Sequence, residues 1–155
     1  MYKDERITIV IPCLNEEMGV QRVLGSLPCF VDEAIVVDND STDRTADVAR
    51  AHDAVVVTEL NRGYGRAYKK GFAHATGDII VTLDGDHSYP VDALNYLLEA
   101  FLHSRVDFIS ASRFPVCSKN AMPWKNKMGN RILSLTMSFL YRRWIHDSQS
   151  GMWIF

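Results

Sequence analysis

The chain of 155 residues has little that marks the commonest alternatives to a soluble globular protein. Its three cysteines, Cys13, Cys29 and Cys117, are odd in number and lack metal-ligand spacing, so reduced thiols in a cytosolic protein are the simplest account. No run approaches the ~18 uninterrupted apolar residues of a membrane span. Met1-Tyr2-Lys3-Asp4-Glu5-Arg6 runs straight into a strand-like segment, without the pattern of a signal peptide. A net charge of -2 lacks the basic excess that sequence-independent nucleic-acid binding needs. There is no Gly-x-x-x-x-Gly-Lys-Ser/Thr loop, which disfavours an ATPase. The first strand is not followed by Gly-x-Gly-x-x-Gly, which disfavours a nicotinamide enzyme. Repeats, low-complexity segments and interdomain linkers are also missing. With 47% hydrophobic residues the chain can bury one sizeable core, and a single domain over 1–155 is expected. It ends on Gly151-Met152-Trp153-Ile154-Phe155, which reads as a strand being entered, so a C-terminally truncated domain is expected.

What is there is organised around Ile79-Ile80-Val81-Thr82-Leu83-Asp84-Gly85-Asp86. An uncharged β-branched run reads as a buried central strand. Ending it on two carboxylates is costly unless something cationic meets them. Ligands of open α/β sheets bind beyond the carboxyl ends of strands. Asp84 and Asp86 therefore read as an oxygen-rich seat for a hard divalent cation that also holds a substrate phosphate. Asp-Gly is equally a hairpin signal, and Asp86 a candidate cap for a helix after Pro90.

Strands are expected at 7–11, closed by Pro12, then at 33–37, 54–58, 78–83 and 106–111. Helices are expected at 16–27, with Asn15 as cap, at 42–52 capped by Ser41 or Asp40, and from after Ala67 to about 75. Two more follow at 91–103 and 125–143. The last has Met128, Ile132, Leu135, Phe139 and Leu140 on one side, read as core-facing. Trp124, Tyr141, Trp144 and basic neighbours also allow a helix lying at a membrane surface. This β/α alternation predicts an α/β fold, a mostly parallel sheet with helices on both faces.

Asp38 closes the second strand, where a carboxylate can accept from a nucleobase or ribose. Asp43 and Arg44 read as a solvated pair. Gly63 and Gly65, with Arg62 and Arg66 beside a helix N-terminus, favour an anion, although helix packing explains the glycines as well. His146 reads as a loop surface residue.

The segments Ile11-Pro12-x-x-Asn15-Glu16, Val37-Asp38-Asn39-Asp40-Ser41-Thr42-Asp43-x-Thr45, Asn61-x-Gly63-x-Gly65-x-Ala67, Gly77-Asp78, Asp84-Gly85-Asp86 and Asp147-x-x-Ser150-Gly151 occur in this order. Together they resemble the family-2 glycosyltransferases of the GT-A (Rossmann-like) fold, in the branch of polyprenyl- (dolichyl-) phosphate sugar synthases. The resemblance implies that Pro12, Asn15, Glu16, Asp38, Asp40, Gly65, Asp84 and Gly85 bind the nucleotide. It implies Mg²⁺ or Mn²⁺ at Asp84 and Asp86, and catalytic roles for Asp86, Arg113 and Asp147. Arg113 matches a phosphate-gripping arginine, and Asp147 a positioning residue when the acceptor is a phosphate. Its donor would be a UDP- or GDP-sugar and its acceptor a lipid phosphate, with peripheral contact at the cytoplasmic face of a membrane. Lys125, Lys127 and Arg131 are the candidates for a second acceptor-side cation. Two alternatives remain at this stage: transfer to a saccharide hydroxyl, with Asp147 as base, and a non-catalytic nucleotide-binding remnant.

Overall fold

The computed structural model describes residues 2–113 and 124–155. Cys117 and the rest of the loop expected before Trp124 lie outside the described residues. Elements alternate as β1 (Ile7–Cys13), α1 (Glu17–Ser26), β2 (Glu33–Asp38), α2 (Thr45–Ala51), β3 (Val55–Thr58), α3 (Tyr64–Phe72), β4 (Ile79–Thr82), α4 (Ala93–His103), β5 (Ile109–Ser110), α5 (Trp124–Tyr141) and β6 (Trp153–Ile154). The chain divides into two compact units, 1–109 with 152–155, and 110–151.

The sheet has six strands in the order β3-β2-β1-β4-β6-β5. β1 pairs in parallel with both β2 and β4, and β2 in parallel with β3. Every residue of β1 is buried. Successive side chains of a strand point to opposite faces, so β1 is covered on both. On one face Val10, Ile35, Val37 and Val57 pack with Ala67 and Tyr68 of α3. Tyr68 in turn meets Phe72 and Trp153, with ring centroids 5.5 and 5.3 Å away.

Three expectations change. Pro12 does not close β1; it sits within it, in register with Val37. Cys13 turns its carbonyl toward β2, where it accepts from the Asn39 N–H, so the missing N–H of Pro12 faces β4. β4 ends at Thr82, opposite Val10, and no ladder bond is lost. The C-terminal segment is indeed a strand, but it returns antiparallel beside β4, with Val81 opposite Ile154. Finally, α5 does not bury its apolar stripe: Met128, Ile132, Leu135, Phe139 and Leu140 are exposed, and Asn130 and Ser134 are buried instead. Among the described residues no helix is long and apolar enough to cross a membrane.

Candidate active site

In the first unit the site forms where β1, β2 and β4 end together. Leu83 continues from β4 by donating its N–H to Val10 O at 3.1 Å. The next three residues then turn tightly against β1. A Cβ on Gly85 would lie 2.5 Å from Cys13 Sγ and 3.3 Å from Pro12 O. From the other side α1 leans in: a Cβ on Gly19 would lie 2.3 Å from Gly85 O and 2.9 Å from the Asp86 Cα. Two glycines therefore let a strand end, a turn and a helix meet with no side chain between them.

That turn presents both predicted metal ligands. Asp84 is half-buried and accepts from the Tyr64 hydroxyl at 2.5 Å. Asp86 is exposed, and its Oδ1 accepts from the Ser88 N–H at 2.9 Å, closing a local turn. It does not cap the following helix: α4 starts after Asp92, without a side-chain cap. Glu16 stands at the N-terminus of α1, and burial raises its carboxyl pKa, with further upward pushes from Asp86, Asp43 and Asp84. The Cys13 thiol is likewise pushed up by burial, then by Glu16, Asp38, Asp43 and Asp84. Acids from three crossover loops thus share one region around the end of β1. Among the described residues no ion pair involves Glu16, Asp38, Asp43 or Asp86.

The loop after β2 is tied to the loop after β1 by residues the sequence assigned otherwise. Asn15, at φ 58°, does not cap α1. Its Oδ1 accepts from the Thr42 N–H at 2.7 Å, and its own N–H donates to Ser41 Oγ at 3.0 Å. Asp43 and Arg44 are both exposed, as expected, but Asp43 accepts from Thr45 N–H at 3.0 Å and from Glu17 N–H at 3.1 Å, so it serves the starts of α2 and α1 together. Asp38 is buried and accepts from the Ser41 N–H at 3.1 Å. Asn39, also buried, donates to Glu59 O and Asn61 O and accepts from Gly63 N–H at 2.7 Å. Gly63 has φ 151°, a conformation that favours glycine. Arg62, expected to favour an anion, instead pairs with Asp40 at 3.2 Å, both exposed. A Cβ on Gly65 would meet nothing within 4 Å.

A second polar centre lies in the unit 110–151. Asp147 is buried, and five donors converge on it. They are Arg113 N–H at 3.0 Å, Arg113 Nε and Nη2 at 2.9 Å each, Asn130 Nδ2 at 2.6 Å and Gln149 N–H at 3.1 Å. Burial pushes this carboxyl up, yet Arg113 and Asn130 outweigh it and hold the carboxyl well below the usual range. Ser134 Oγ donates to Asn130 Oδ1 at 2.9 Å and accepts from Ser148 N–H at 3.0 Å, which fixes Asn130 in turn. Asn130 and Ser134 were missed; their signal is a row of small polar residues at i, i+4 and i+8 (130, 134, 138) on α5. His146 is exposed, as expected.

Could this set of residues hold a divalent cation? Among the described residues no three or more His, Cys, Asp or Glu side chains form a ready-made metal site. Mg²⁺ is commonly held by one or two carboxylates together with substrate phosphates rather than by an all-protein cage. Asp84 and Asp86, hard oxygen donors on one turn, fit that arrangement.

Comparison with known proteins gives concordant results. The sequence model of glycosyl transferase family 2 matches residues 8–155. An uncharacterized glycosyltransferase of Mycobacterium tuberculosis is 38% identical over 92% of this chain and 64% of its own. A dolichyl-phosphate hexose transferase of Haloferax volcanii is 30% identical over 97% of this chain and 66% of its own. Among solved structures, glucosyl-3-phosphoglycerate synthase from M. tuberculosis, in complex with Mn²⁺, UDP and phosphoglyceric acid, superposes with a TM-score of 0.78. It is 24% identical, over 97% of this chain and 55% of that one. The chain therefore spans about two thirds or less of the length of these relatives.

Proposed function

The chain belongs to glycosyl transferase family 2 and has its GT-A fold, and from that premise we propose that it transfers a sugar from a nucleoside diphosphate to a polyprenyl (dolichyl) phosphate. The observation that carries this reading is the gathering of Glu16, Asp38, Asp43, Asp84 and Asp86 at the end of β1, where burial and then Asp86, Asp43 and Asp84 disfavour the ionised form of Glu16. Such a cluster suits a cation and the diphosphate that comes with it.

In this reading Pro12, Asn15, Glu16, Asp38, Asp40 and Gly65 border the nucleoside, and Asp84, Gly85 and Asp86 border the diphosphate. Mg²⁺ or Mn²⁺ on Asp84 and Asp86 would neutralise charge on the leaving nucleoside diphosphate. The acceptor phosphate oxygen attacks the anomeric carbon, the bond to the nucleoside diphosphate breaks, and the configuration inverts. An anionic phosphate needs no strong base. This agrees with Asp147, whose carboxyl is occupied by five donors and whose proton affinity is lowered. The same observation disfavours transfer to a saccharide hydroxyl, which would need Asp147 as base. Asp147 instead orients Arg113 toward the acceptor phosphate as a positioning residue.

The Haloferax relative, named a dolichyl-phosphate hexose transferase, supports the lipid-phosphate acceptor. The solved neighbours' UDP with Mn²⁺ or Mg²⁺ supports the donor class. We read both units as one catalytic domain, since the chain leaves the first at 109 and returns at 152 to add β6 to the sheet. The free thiols Cys13 and Cys29 fit the cytoplasmic face of a membrane, with peripheral contact.

The test is calorimetric titration with UDP and with GDP, each with and without Mn²⁺, on the wild type and on Asp84→Asn/Asp86→Asn. We expect metal-dependent binding of one nucleotide, weakened at least about 100-fold in the double variant, a loss of roughly 2.7 kcal/mol. If the folded chain binds neither nucleotide, the motifs persist without their function and a non-catalytic remnant is the better reading.

A further inference from the structure

The exposed side of α5 is unlike the rest of the surface. Met128, Ile132, Leu135 and Phe139 are 51%, 60%, 57% and 84% exposed. At about 100° per residue these four fall within roughly 60° of one another. Leu140, Tyr141 and Trp144 extend the apolar surface at 66%, 66% and 73%, and Trp124 opens the helix at 67%. An apolar stripe facing water is the reverse of the usual amphipathic arrangement.

Its cause is the opposite side of the helix. Asn130, Ser134 and Ser138 face inward there and are bound by Asp147, Ser148 and Ile145. The helix is committed through its polar row, so its apolar row faces outward.

Charge identifies what that row meets. From Trp124 to Trp144 there are five basic residues, Lys125, Lys127, Arg131, Arg142 and Arg143, and no acid. A second protein surface would have to supply all the compensating acid itself. A bilayer rich in anionic lipid supplies negative charge everywhere, with apolar matter directly beneath it. Trp and Tyr at the ends of the stripe suit the headgroup level. At the C-terminal end an open surface depression is lined by Ser138, Phe139, Leu140 and Arg142, which places a cation beside apolar side chains.

We propose that α5 is the membrane-seating surface of this protein: Met128, Ile132, Leu135 and Phe139 enter the acyl boundary of an anionic leaflet, and Arg142 and Arg143 meet lipid phosphates. The proposal deepens the lipid-phosphate reading above and rests on it. The stripe would keep the protein on the surface where its acceptor resides.

The experiment is flotation with vesicles of phosphatidylcholine alone or with about 30% phosphatidylglycerol, which gives a strongly anionic surface. Wild type, Phe139→Ser/Trp144→Ser and Arg142→Glu/Arg143→Glu are compared, and analytical ultracentrifugation follows each protein without lipid. The expected result is flotation on the anionic vesicles only, at least about tenfold weaker in each variant and weakened by 0.5 M salt, within a Debye length shortened to a few ångströms. UDP or GDP titration of the same variants should match wild type, so failure of the seating surface is distinguishable from failure of the transferase reading. Absence of flotation, or flotation indifferent to lipid charge, overturns the proposal. So does a concentration-dependent dimer that the Phe139→Ser/Trp144→Ser variant abolishes, because a second copy would then be the occupant.

Discussion

The carboxylate of Asp147 and the acids gathered at the end of β1 are built in opposite ways. Asp147, in the unit 110–151, is surrounded: Arg113, Asn130 and Gln149 supply five donors, and its pKa falls despite burial. At the end of β1 the acids face each other, and the Glu16 carboxyl rises through burial and through Asp86, Asp43 and Asp84. A carboxylate with its donors in place is a structural anchor and a poor base. At the end of β1 the ionised form of Glu16 carries a cost that a divalent ion and its phosphates would relieve. Binding chemistry and scaffold chemistry can thus be told apart by what the chain itself provides to each group.

The sharpest way to break this contrast is to remove a donor from the satisfied centre. Arg113→Ala leaves Asp147 buried with its main cation gone, and unfolding stability should fall by about 3 kcal/mol or more. Arg113→Lys returns a charge without the two-nitrogen fork and should recover only part of it. Urea melts of both variants read the difference. If Arg113→Ala melts like wild type, Asp147 is not anchored as the geometry has it. A smaller loss, about 1–3 kcal/mol, is expected for Gly19→Ala, whose methyl group would press on the Gly85 carbonyl at 2.3 Å. Its second consequence falls on Asp84 and Asp86, carried by the same turn, so nucleotide affinity should drop with stability. An Arg113→Ala chain that still folds should bind nucleotide as before.

Acid should separate the two groups more gently. The folded-state pKa of Asp147 lies below its unfolded value, so its contribution is present above about pH 4 and lost as pH falls toward the folded value. Glu16 runs the other way: its ionised form is disfavoured in the fold, so its cost is present above its raised pKa and is relieved as pH falls through it. Without metal, Glu16→Gln should therefore raise the Tm at pH 7 by about 1–2 °C and flatten the profile just above pH 4.3. Asp147→Asn should lower the Tm at pH 7 and remove the fall below pH 4. Melting profiles from pH 3 to 8 check both signs.

The strand-end acids at β1 were legible from the sequence, as were Arg113 and Asp147 as site residues, while the other donors to Asp147 were not. Ile79 to Thr82 announces a buried strand because parallel strands covered on both faces carry unbroken apolar runs, and Asp84 and Asp86 stand where such a strand must stop. Asp43 hides its role because Glu17, whose N–H it accepts, is 26 positions away; Asn130 meets Asp147 across 17. Local spacing carries no trace of such pairs. The helix α5 shows a different limit. Its periodicity identifies which residues form the apolar stripe, but burial is decided by what the polar row finds to bond with. β6 was visible as a strand, while its place between β4 and β5 depends on pairing with residues some seventy positions earlier.

The smallest expected effect on stability tests the binding side of the contrast most directly. Gly19 is closed by the chain's own backbone, whereas a Cβ on Gly65 meets nothing within 4 Å. Gly65 lies in the first turn of α3, where alanine is a better helix former by about 1 kcal/mol at most. Gly65→Ala should therefore leave the unliganded chain as stable as wild type or slightly more so. If that open space belongs to the nucleotide, the added methyl group must still weaken UDP or GDP binding, by about tenfold for a contact worth 1.4 kcal/mol. Weakened affinity in a chain that melts no earlier would mean that the glycine serves the ligand and not the fold. Unchanged affinity would remove Gly65 from the site and leave the diphosphate to the turn at Asp84, Gly85 and Asp86.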